Sequence, residues 1–277
     1  MVMGTIPLTR LAGMNEHFPL YSLDYFLDAM VELEIEHIEL WGGSPHLYVE
    51  DVTLRQVGGI RREIERRGLN VICFTPEQCV YPVNIAAREK DIRERSLRYF
   101  TKALEAAAEL GTDLLQIVPG WGYRSEPVGE AWERSRDSLQ QLSRKAEELG
   151  MTMVLEQLEP FESNLVTNTE TQARMLREVG SDRLKAVVDT CPMHAAGETF
   201  DDCFQALGND LRHIHFIDSD HLTWGDGQLP LRDYLNQLSK HGYPGYLTLE
   251  ICAERYLLDP VGPLKKGLRA VREALGQ

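Results

Sequence analysis

The chain has 277 residues, of which 43% are hydrophobic and 26% charged, a composition that fits neither a disordered nor a collagen-like protein. Its net charge of −14 opposes binding to phosphate backbones and anionic membranes, so neither nucleic acid nor a membrane is an expected partner. No apolar stretch approaches the roughly 18 residues of a membrane span, and the first residues lack the pattern of a signal peptide. The five cysteines are scattered without a C-x-x-C pair, so we expect reduced thiols and a cytoplasmic protein.

Short apolar runs alternate with helical patterns along the chain. Eight of these runs predict β-strands, at Thr5–Thr9, Glu36–Trp41, Leu69–Phe74, Asp113–Val118, Met151–Glu156, Lys185–Asp189, Arg212–Ile217 and Tyr246–Ile251. Helices are indicated between strands by apolar residues spaced three and four apart, as at Leu97–Ala107, Trp132–Leu149 and Leu264–Leu275. Eight such units without a linker predict one α/β domain over residues 1–277, a (β/α)8 or TIM barrel.

Local residue types predict several helix ends. Gly111 and Gly150 follow long helical patterns and are expected to close them in the left-handed conformation. The sequence Thr169-Glu170-Thr171-Gln172 has the spacing of a capping box, which predicts a helix that begins there and ends near Gly180. Each of these helices is followed by one of the predicted strands.

The last four predicted strands carry ionisable side chains at their ends. Glu156, Asp189 and Glu250 close strands 5, 6 and 8, and His215 lies near the end of strand 7, with His213 on the same face and expected deeper in the core. A lone acid at a strand end is ordinarily solvated or salt-bridged. A TIM barrel, however, brings these ends to one rim, where three unpartnered carboxylates would repel one another. A bound divalent cation removes that repulsion, and the ligand set suits Mn, Co or Mg, with Zn and Ni not excluded.

These strand ends, together with three other stretches, resemble a known family. The sequences Leu155-Glu156, Val188-Asp189-Thr190, His213-Ile214-His215 and Thr248-Leu249-Glu250 resemble the xylose-isomerase-like barrels, and within them the ketose 3-epimerases. The stretches that are most similar to the fructoselysine 3-epimerase group are Ile38–His46, Glu159–Asn164 and His215–Asp220. The turn Gly225–Pro230 is similar to the G-x-G-x-x-P turn that these enzymes carry after strand 7.

The resemblance implies a metal-dependent epimerase that inverts C3 of a ketose or ketosamine, of the fructoselysine or psicoselysine type. Glu156, Asp189, His215 and Glu250 would bind one divalent metal, which would stabilise the enediolate formed when the C3 proton leaves. Glu156 and Glu250 would also act as the acid and base on the two faces of that carbon. A small sugar or sugar amine is the expected partner, and a homo-oligomer is compatible with the sequence.

Five further residues are candidates for substrate contact: Glu162, His221, His194, Trp41 and Trp121. Glu162 lies six residues after Glu156, where the family has a Glu that contacts substrate hydroxyls, and a solvated loop acid is the alternative interpretation. Trp41 and Trp121 follow strands 2 and 4, where they would either wall the pocket or pack at its rim.

Two positions depart from the tagatose-type epimerases. Those enzymes have a His three residues after the metal-binding Asp, where this chain has Pro192 and the nearest imidazole is His194. They have an Arg six residues after the metal-binding His, where this chain has His221. Both departures disfavour a free ketohexose as substrate. Loop acids are candidates for contact with the ammonium of a sugar amine: Glu77, Asp218 and Asp220.

Other functions use the same barrel. Aldose–ketose or hydroxypyruvate-type isomerases and inosose-type dehydratases are alternatives that four metal ligands do not distinguish. An endonuclease-IV-like phosphodiesterase would need additional His ligands and a basic groove, whereas only His213 and His215 lie at a strand end of the predicted site and the chain is acidic. A non-catalytic binding barrel would not need two carboxylates placed to act as bases.

Overall fold

The fold rests on eight parallel strands that close into a barrel, seen in a computed structural model that describes residues 6–79 and 83–276. Neighbouring strands follow chain order, and the last strand pairs with the first to complete the ring. The strands are Leu11–Met14 (β1), His37–Gly42 (β2), Asn70–Pro76 (β3), Leu114–Ile117 (β4), Thr152–Glu156 (β5), Leu184–Asp189 (β6), Leu211–His215 (β7) and Leu247–Leu249 (β8).

Helices alternate with these strands, which confirms the TIM barrel predicted from the sequence. In the described parts of the chain the α-helices are Leu23–Glu32 (α1), Leu54–Arg66 (α2), Lys90–Leu110 (α3), Val128–Leu149 (α4), Thr169–Val179 (α5), Thr190–Ala195 (α6), Phe200–Leu207 (α7), Leu231–Lys240 (α8) and Val261–Leu275 (α9). The short α6 is an addition to the regular repeat, directly after β6. Across residues 6–79 and 83–276, no helix is both long enough and apolar enough to span a bilayer.

The amphipathic stripes are buried as their spacing predicts. On α4, the side chains of Trp132, Ser135, Leu139, Leu142 and Ala146 are all buried. Burial of apolar surface contributes roughly 25 cal/mol per Å², so burying this stripe stabilises the packed position of the helix. The spacing of three and four residues thus determines which helix face packs inward.

The glycine helix ends are confirmed, whereas one helix start lies a residue earlier than predicted. Gly111, Gly150 and Gly180 have φ values of 86°, 71° and 66° and follow α3, α4 and α5. The cap of α5 is Asn168, whose side chain accepts the backbone N–H of Thr171 at 2.9 Å. Asparagine is as good an N-cap as threonine, so residue type alone did not decide between the two neighbouring positions.

β1 lies later in the chain than predicted. The predicted strand at Thr5–Thr9 begins outside the described residues, Leu8–Arg10 form a 3-10 turn, and β1 is Leu11–Met14. Its Ala and Gly have low strand propensity, which hid the strand in the sequence. Packing requires the glycine, because a Cβ at Gly13 would overlap the sulfur of Met30.

On β5 and β6, the side chains that face the barrel interior change from apolar to ionisable toward the carboxyl ends of the strands. Cys73, Val154 and Val187 form a small buried cluster separate from the main core. Two residues further along β5 and β6, the same inward face carries Glu156 and Asp189. Val154 and Val187 therefore lie directly beneath Glu156 and Asp189.

Candidate active site and metal centre

The four residues predicted at the strand ends meet at the mouth of the barrel. Glu156, Asp189 and His215 are the last residues of β5, β6 and β7, and Glu250 directly follows β8. One donor atom from each lies within 4.8 Å of the others, and no more than 9% of any of these residues is exposed. The register brings them together, since Asp189 pairs with His215 across β6 and β7.

Hydrogen bonding leaves one carboxylate oxygen of this cluster without a donor. His215 Nδ1 lies 3.0 Å from Glu156 Oε1 and 2.9 Å from Glu250 Oε2, but only the direction to Glu156 suits a hydrogen bond. Among the described residues, nothing donates to the buried Glu250 Oε2. A buried carboxylate oxygen is costly unless a donor or a cation meets it. Three carboxylates and one imidazole nitrogen suit a divalent cation, so the residues present fit a metal.

The pKa values of the cluster residues also indicate that this site favours positive charge. Burial acts to lower the pKa of His215, yet the charges of Glu250 and Glu39 outweigh burial and hold this pKa well above its ordinary value. Burial raises the pKa of Glu250 well above its usual range against the opposing charge of His215, and the charges of Glu156 and Asp189 add to the rise. Protons on these groups neutralise charge that a bound cation would otherwise neutralise.

His221 reaches the same cluster from the loop after β7. Its Nε2 lies 3.0 Å from Asp189 Oδ2 and 3.9 Å from Glu250 Oε2. Asp220 and His221 have φ values of 57° and 50°, and non-glycine residues adopt this conformation only where the surroundings hold them, at a cost of about 1–3 kcal/mol. The structure therefore brings this predicted contact residue to the cluster, while its contact with a substrate stays a prediction.

Two buried amides support Glu156, and neither was singled out from the sequence. Gln116 on β4 donates to Glu156 Oε2, and Gln78 donates to Gln116. Gln78 Oε1 in turn accepts the backbone N–H of Val118 at 2.9 Å. The signal was present, because Gln116 interrupts the apolar run Leu114–Ile117 and a buried amide needs partners.

A deeper layer of ionisable residues was predicted only in part. His213 is buried with its Nε2 2.7 Å from Glu39 Oε2, which confirms that it is hydrogen-bonded in the core. Glu39 was missed, although it interrupts the apolar part of β2. Burial acts to raise the pKa of Glu39, but the charges of His215 and His213 outweigh it and hold this pKa well below its ordinary value. Glu39 is therefore a buried carboxylate beneath the candidate metal ligands.

Acidic side chains also flank the approach to the cluster. Burial raises the pKa of Glu16 to about 7 against the charge of His221, and the charge of Glu77 adds to the rise. Glu77 Oε2 accepts the indole N–H of Trp41 at 3.1 Å. Glu16 was missed because β1 was placed too early, since it follows the observed end of that strand by two residues.

Trp41 and Glu162 are both held by hydrogen bonds near the site. Trp41 lies within β2 rather than after it, and its backbone N–H donates to Asn15 Oδ1 at 2.7 Å. Glu162 is half-buried, and its Oε2 accepts the backbone N–H of Glu159 at 3.0 Å. Burial raises the pKa of Glu162, and the charge of Glu156 adds to the rise. The electrostatic effect of Glu156 connects Glu162 to the cluster, while its contact with a substrate stays a prediction.

Trp121 and His194 lie further out. Trp121 is 44% exposed, and its ring meets that of Tyr123 with centroids 5.9 Å apart. His194 is exposed on α6, with its Nδ1 3.3 Å from Tyr234 Oη. Within the described residues, the structure brings neither side chain into hydrogen-bond contact with the four-residue cluster, and their roles toward a substrate stay predictions.

The suggestion that Asp218 contacts a substrate ammonium is wrong. Asp218 is 2% exposed, and its two carboxylate oxygens accept backbone N–H groups at 2.8–3.0 Å from Ser219, Gly225, Gly227 and Leu229. With four donors already bound, this carboxylate organises the loop between β7 and α8. A buried acid followed by a G-x-G turn is better explained by such backbone anchoring than by ligand contact.

This barrel and its charged mouth agree with comparisons to known proteins. A family model described as xylose isomerase-like TIM barrel matches residues 27–274, and the chain belongs to this family. Fructoselysine 3-epimerase of Escherichia coli O157:H7 is 32% identical over 255 residues, which cover 90% of this chain and 92% of that protein. D-psicose 3-epimerase of Ruminiclostridium cellulolyticum is 22% identical and covers 82% of this chain and 77% of its own length. The chain is accordingly an enzyme of the sugar epimerase and isomerase class.

Solved structures show the same fold. D-psicose 3-epimerase determined in the presence of D-fructose superimposes with a TM-score of 0.78 at 16% identity, covering 96% of this chain and 97% of its own. The 3-keto-D-glucoside 4-epimerase of E. coli gives a TM-score of 0.80 at 18% identity, covering 97% of this chain and 100% of its own. At these identities the likeness establishes the barrel and not the substrate.

Proposed function

We propose that this chain is a divalent-metal-dependent epimerase that inverts C3 of a ketose or ketosamine, of the fructoselysine or psicoselysine type. The observation that carries the proposal is the buried cluster of Glu156, Asp189, His215 and Glu250, in which one carboxylate oxygen has no donor among the described residues. The similarity to fructoselysine 3-epimerase over nine-tenths of the chain supports the substrate type.

The four cluster residues would hold one divalent ion, with Mn, Co or Mg as the expected metals. When bound, the ion supplies positive charge that stabilises the substrate oxygens as the proton leaves the neighbouring carbon. Glu156 and Glu250 are the acid and base pair, one removing the C3 proton and the other returning a proton to the opposite face. Asp189 and His215 complete the ligand set and take no proton from the substrate.

The surroundings of the cluster would position the sugar. His221 and Glu162 supply polar contacts near the reacting carbon, Trp41 forms a wall, and His194 and Trp121 would contact the outer part of the substrate. Acidic side chains at the approach, Glu77 and the ionised fraction of Glu16, favour a substrate that carries positive charge, such as a sugar amine. All five thiols are free, which supports a cytoplasmic enzyme with a small sugar or sugar amine as its partner.

Deuterium exchange tests the reaction directly. Metal-loaded protein is incubated in D2O with fructoselysine, fructose, tagatose and hydroxypyruvate, and nuclear magnetic resonance locates the incorporated label. Label at C3 of a ketose or ketosamine supports the proposal. Label at C1 would indicate an isomerase, and absence of label from every substrate would contradict the enzyme assigned here.

The acid and base roles are tested by isosteric substitutions at metal saturation. Glu156→Gln and Glu250→Gln are each expected to slow C3 exchange by about 10²–10⁴-fold, because a general acid or base is removed. Glu133→Gln, an exposed acid on α4, is the matched control and is expected to exchange at the wild-type rate. Near wild-type exchange by either site variant, with metal bound, would refute the assignment.

A dehydratase is the second candidate, supported by one relative. Inosose dehydratase of Lacticaseibacillus casei is 24% identical over 170 residues, which cover 52% of this chain. A dehydratase loses water from its substrate, so product analysis by mass spectrometry distinguishes it from an epimerase, whose product has the mass of the substrate.

A further inference from the structure

His215 is held from both ring nitrogens within the barrel. Its Nδ1 lies 3.0 Å from Glu156 Oε1 and 2.9 Å from Glu250 Oε2, on the side of the candidate metal ligands. Its Nε2 lies 3.1 Å from Glu39 Oε1, on the opposite side of the ring. Both His215 and Glu39 are fully buried, so no solvent competes for either nitrogen.

The contact with Glu39 determines which nitrogen of His215 carries a hydrogen when the other binds a metal. A neutral imidazole carries a hydrogen on one nitrogen and a lone pair on the other, and only the lone pair can bind a metal. An ionised carboxylate accepts hydrogen bonds and donates none, so the nitrogen facing Glu39 must carry the hydrogen. Without metal, Nδ1 faces the carboxylates of Glu156 and Glu250, so both ring nitrogens carry hydrogen. A cation bound among those carboxylates would displace the hydrogen of Nδ1, whereas Nε2, which faces Glu39, would keep its own.

Glu39 is itself held by residues of two other strands, β3 and β7. Thr75 Oγ1 on β3 donates to Glu39 Oε1, and His213 Nε2 on β7 lies 2.7 Å from Glu39 Oε2. Thr248 Oγ1 on β8 lies 3.3 Å from the same nitrogen of His213. A carboxylate with both oxygens engaged in this way cannot rotate away from His215, so its direction is set before any metal arrives.

We propose that Glu39 is a positioning residue that keeps the hydrogen of His215 on Nε2 and so presents Nδ1 to the metal. The inference rests on the proposed metal site but assigns a role to a residue that would touch neither metal nor substrate. Carboxylates behind a metal-bound histidine raise its basicity and fix its ring, and their loss typically weakens metal binding 10–100-fold.

Metal affinity tests this role without reference to turnover. Chelator-stripped wild-type protein and Glu39→Gln are titrated with Mn(II), with free Mn(II) measured by electron paramagnetic resonance. A glutamine can accept from one histidine but not from both, so we expect Mn(II) to bind Glu39→Gln about 10–100-fold more weakly. Glu36→Gln, an identical change at an exposed position just before β2, is expected to leave the affinity unchanged. Wild-type affinity in Glu39→Gln would overturn the proposal.

A measurement on the wild-type chain covers the case in which Glu39→Gln does not fold. Long-range ¹H–¹⁵N spectra of Zn(II)-loaded protein, labelled at histidine, report which nitrogen carries hydrogen, and the signals missing from His215→Gln assign the residue. We expect hydrogen on Nε2 and metal on Nδ1 of His215. Metal on Nε2 would overturn the inference.

The two proposals fail in different ways. If wild-type protein binds Mn(II) and Glu39→Gln binds it with the same affinity, the proposed role of Glu39 is wrong, but the epimerase proposal is unaffected. If Glu39→Gln binds metal weakly as expected but no substrate takes up label at C3, the role of Glu39 is supported and the epimerase proposal is contradicted. A wild-type chain that binds neither Mn(II) nor Zn(II) would overturn both.

Discussion

The two halves of the barrel contribute differently to the site. Strands β5–β7 and the residue after β8 supply the four-membered cluster of candidate ligands, whereas β2–β4 and the segment after β3 supply buried side chains that orient it: Glu39, Thr75, Gln78 and Gln116. The second half therefore carries the proposed metal ligands, and the first half supplies buried side chains that hydrogen-bond to them. Substitutions in the two halves should differ in size and in what they affect.

The largest effect is expected in the ligand half. Asp189→Asn replaces a charged oxygen ligand by a neutral amide, so Mn(II) affinity should fall by more than the about 100-fold typical of losing an outer-shell partner. Isothermal titration calorimetry on chelator-stripped protein measures the Mn(II) affinity. Asp182→Asn, in the loop after α5, is the control and should bind Mn(II) as the wild type does. A loss smaller than that of Glu39→Gln would remove the distinction between the two halves.

The pH dependence of metal binding should be determined by residues of the second half of the barrel, which holds the candidate ligands. The pKa values of His215 and Glu250 are raised, so metal must displace protons from these groups at and below neutral pH. Affinity should therefore rise with pH, by up to about tenfold per pH unit for each proton displaced, and level off above the raised pKa values. The pKa of Glu39 is lowered, so this carboxylate should not titrate in that range. Mn(II) titrations between about pH 6 and pH 8 test this, and an affinity that falls with rising pH would contradict it.

A smaller effect is expected from the amide support of the first half. Gln116→Leu removes a donor from Glu156 and leaves Gln78 without its acceptor. Mn(II) affinity should fall by about tenfold, and the free energy of unfolding by about 1–3 kcal/mol for the unsatisfied groups. Denaturant melts and metal titrations measure both quantities. Gln140→Leu on α4 is the control for the amide change, and an unchanged metal affinity in Gln116→Leu would show that Glu156 needs no support.

The smallest effect should appear in substrate binding alone. A Cβ at Gly43 would overlap the ring of Trp41, so Gly43→Ala must displace that ring, whereas Gly129 has open space around it. We expect Gly43→Ala to raise KM several-fold, about 1 kcal/mol of lost binding, with metal affinity intact. Gly129→Ala should leave KM unchanged. Equal KM values for the two variants would mean that Trp41 does not wall the pocket.

The sequence predicted the location of the candidate ligands correctly where an ionisable residue stands at the end of an apolar strand pattern. Glu156, Asp189 and Glu250 end or directly follow apolar strands, so their position at the barrel mouth followed from the fold alone. The buried side chains that hydrogen-bond to this cluster could not be predicted from the sequence. Glu39 and Gln116 lie inside strands, and only the closed barrel shows which buried groups face them. Residue patterns record which side chains point inward, but not which strands stand opposite one another.

Two errors have specific physical origins. β1 was misplaced because its Ala12 and Gly13 are chosen for close packing rather than for strand propensity, and the shift hid Glu16 at the rim. Asp218 was named as a candidate for ammonium contact because it lies in a polar loop, whereas both of its carboxylate oxygens accept backbone N–H groups. Loop acids therefore need a count of nearby backbone donors before they are assigned to a ligand.

The barrel closes through its shortest strand. β8 has three residues, and it pairs with β7 at two positions and with β1 at three. Glu250 follows β8 immediately, so the proposed ion, shared by Glu250 and residues of β5, β6 and β7, would tie this seam to the rest of the ring. In the proposed metal-bound enzyme, metal binding and closure of the seam would form one linked equilibrium, in which the cation would stabilise the fold as well as take part in the reaction. In the chain stripped of metal, β8 would be the first of the eight strands to exchange its amide hydrogens.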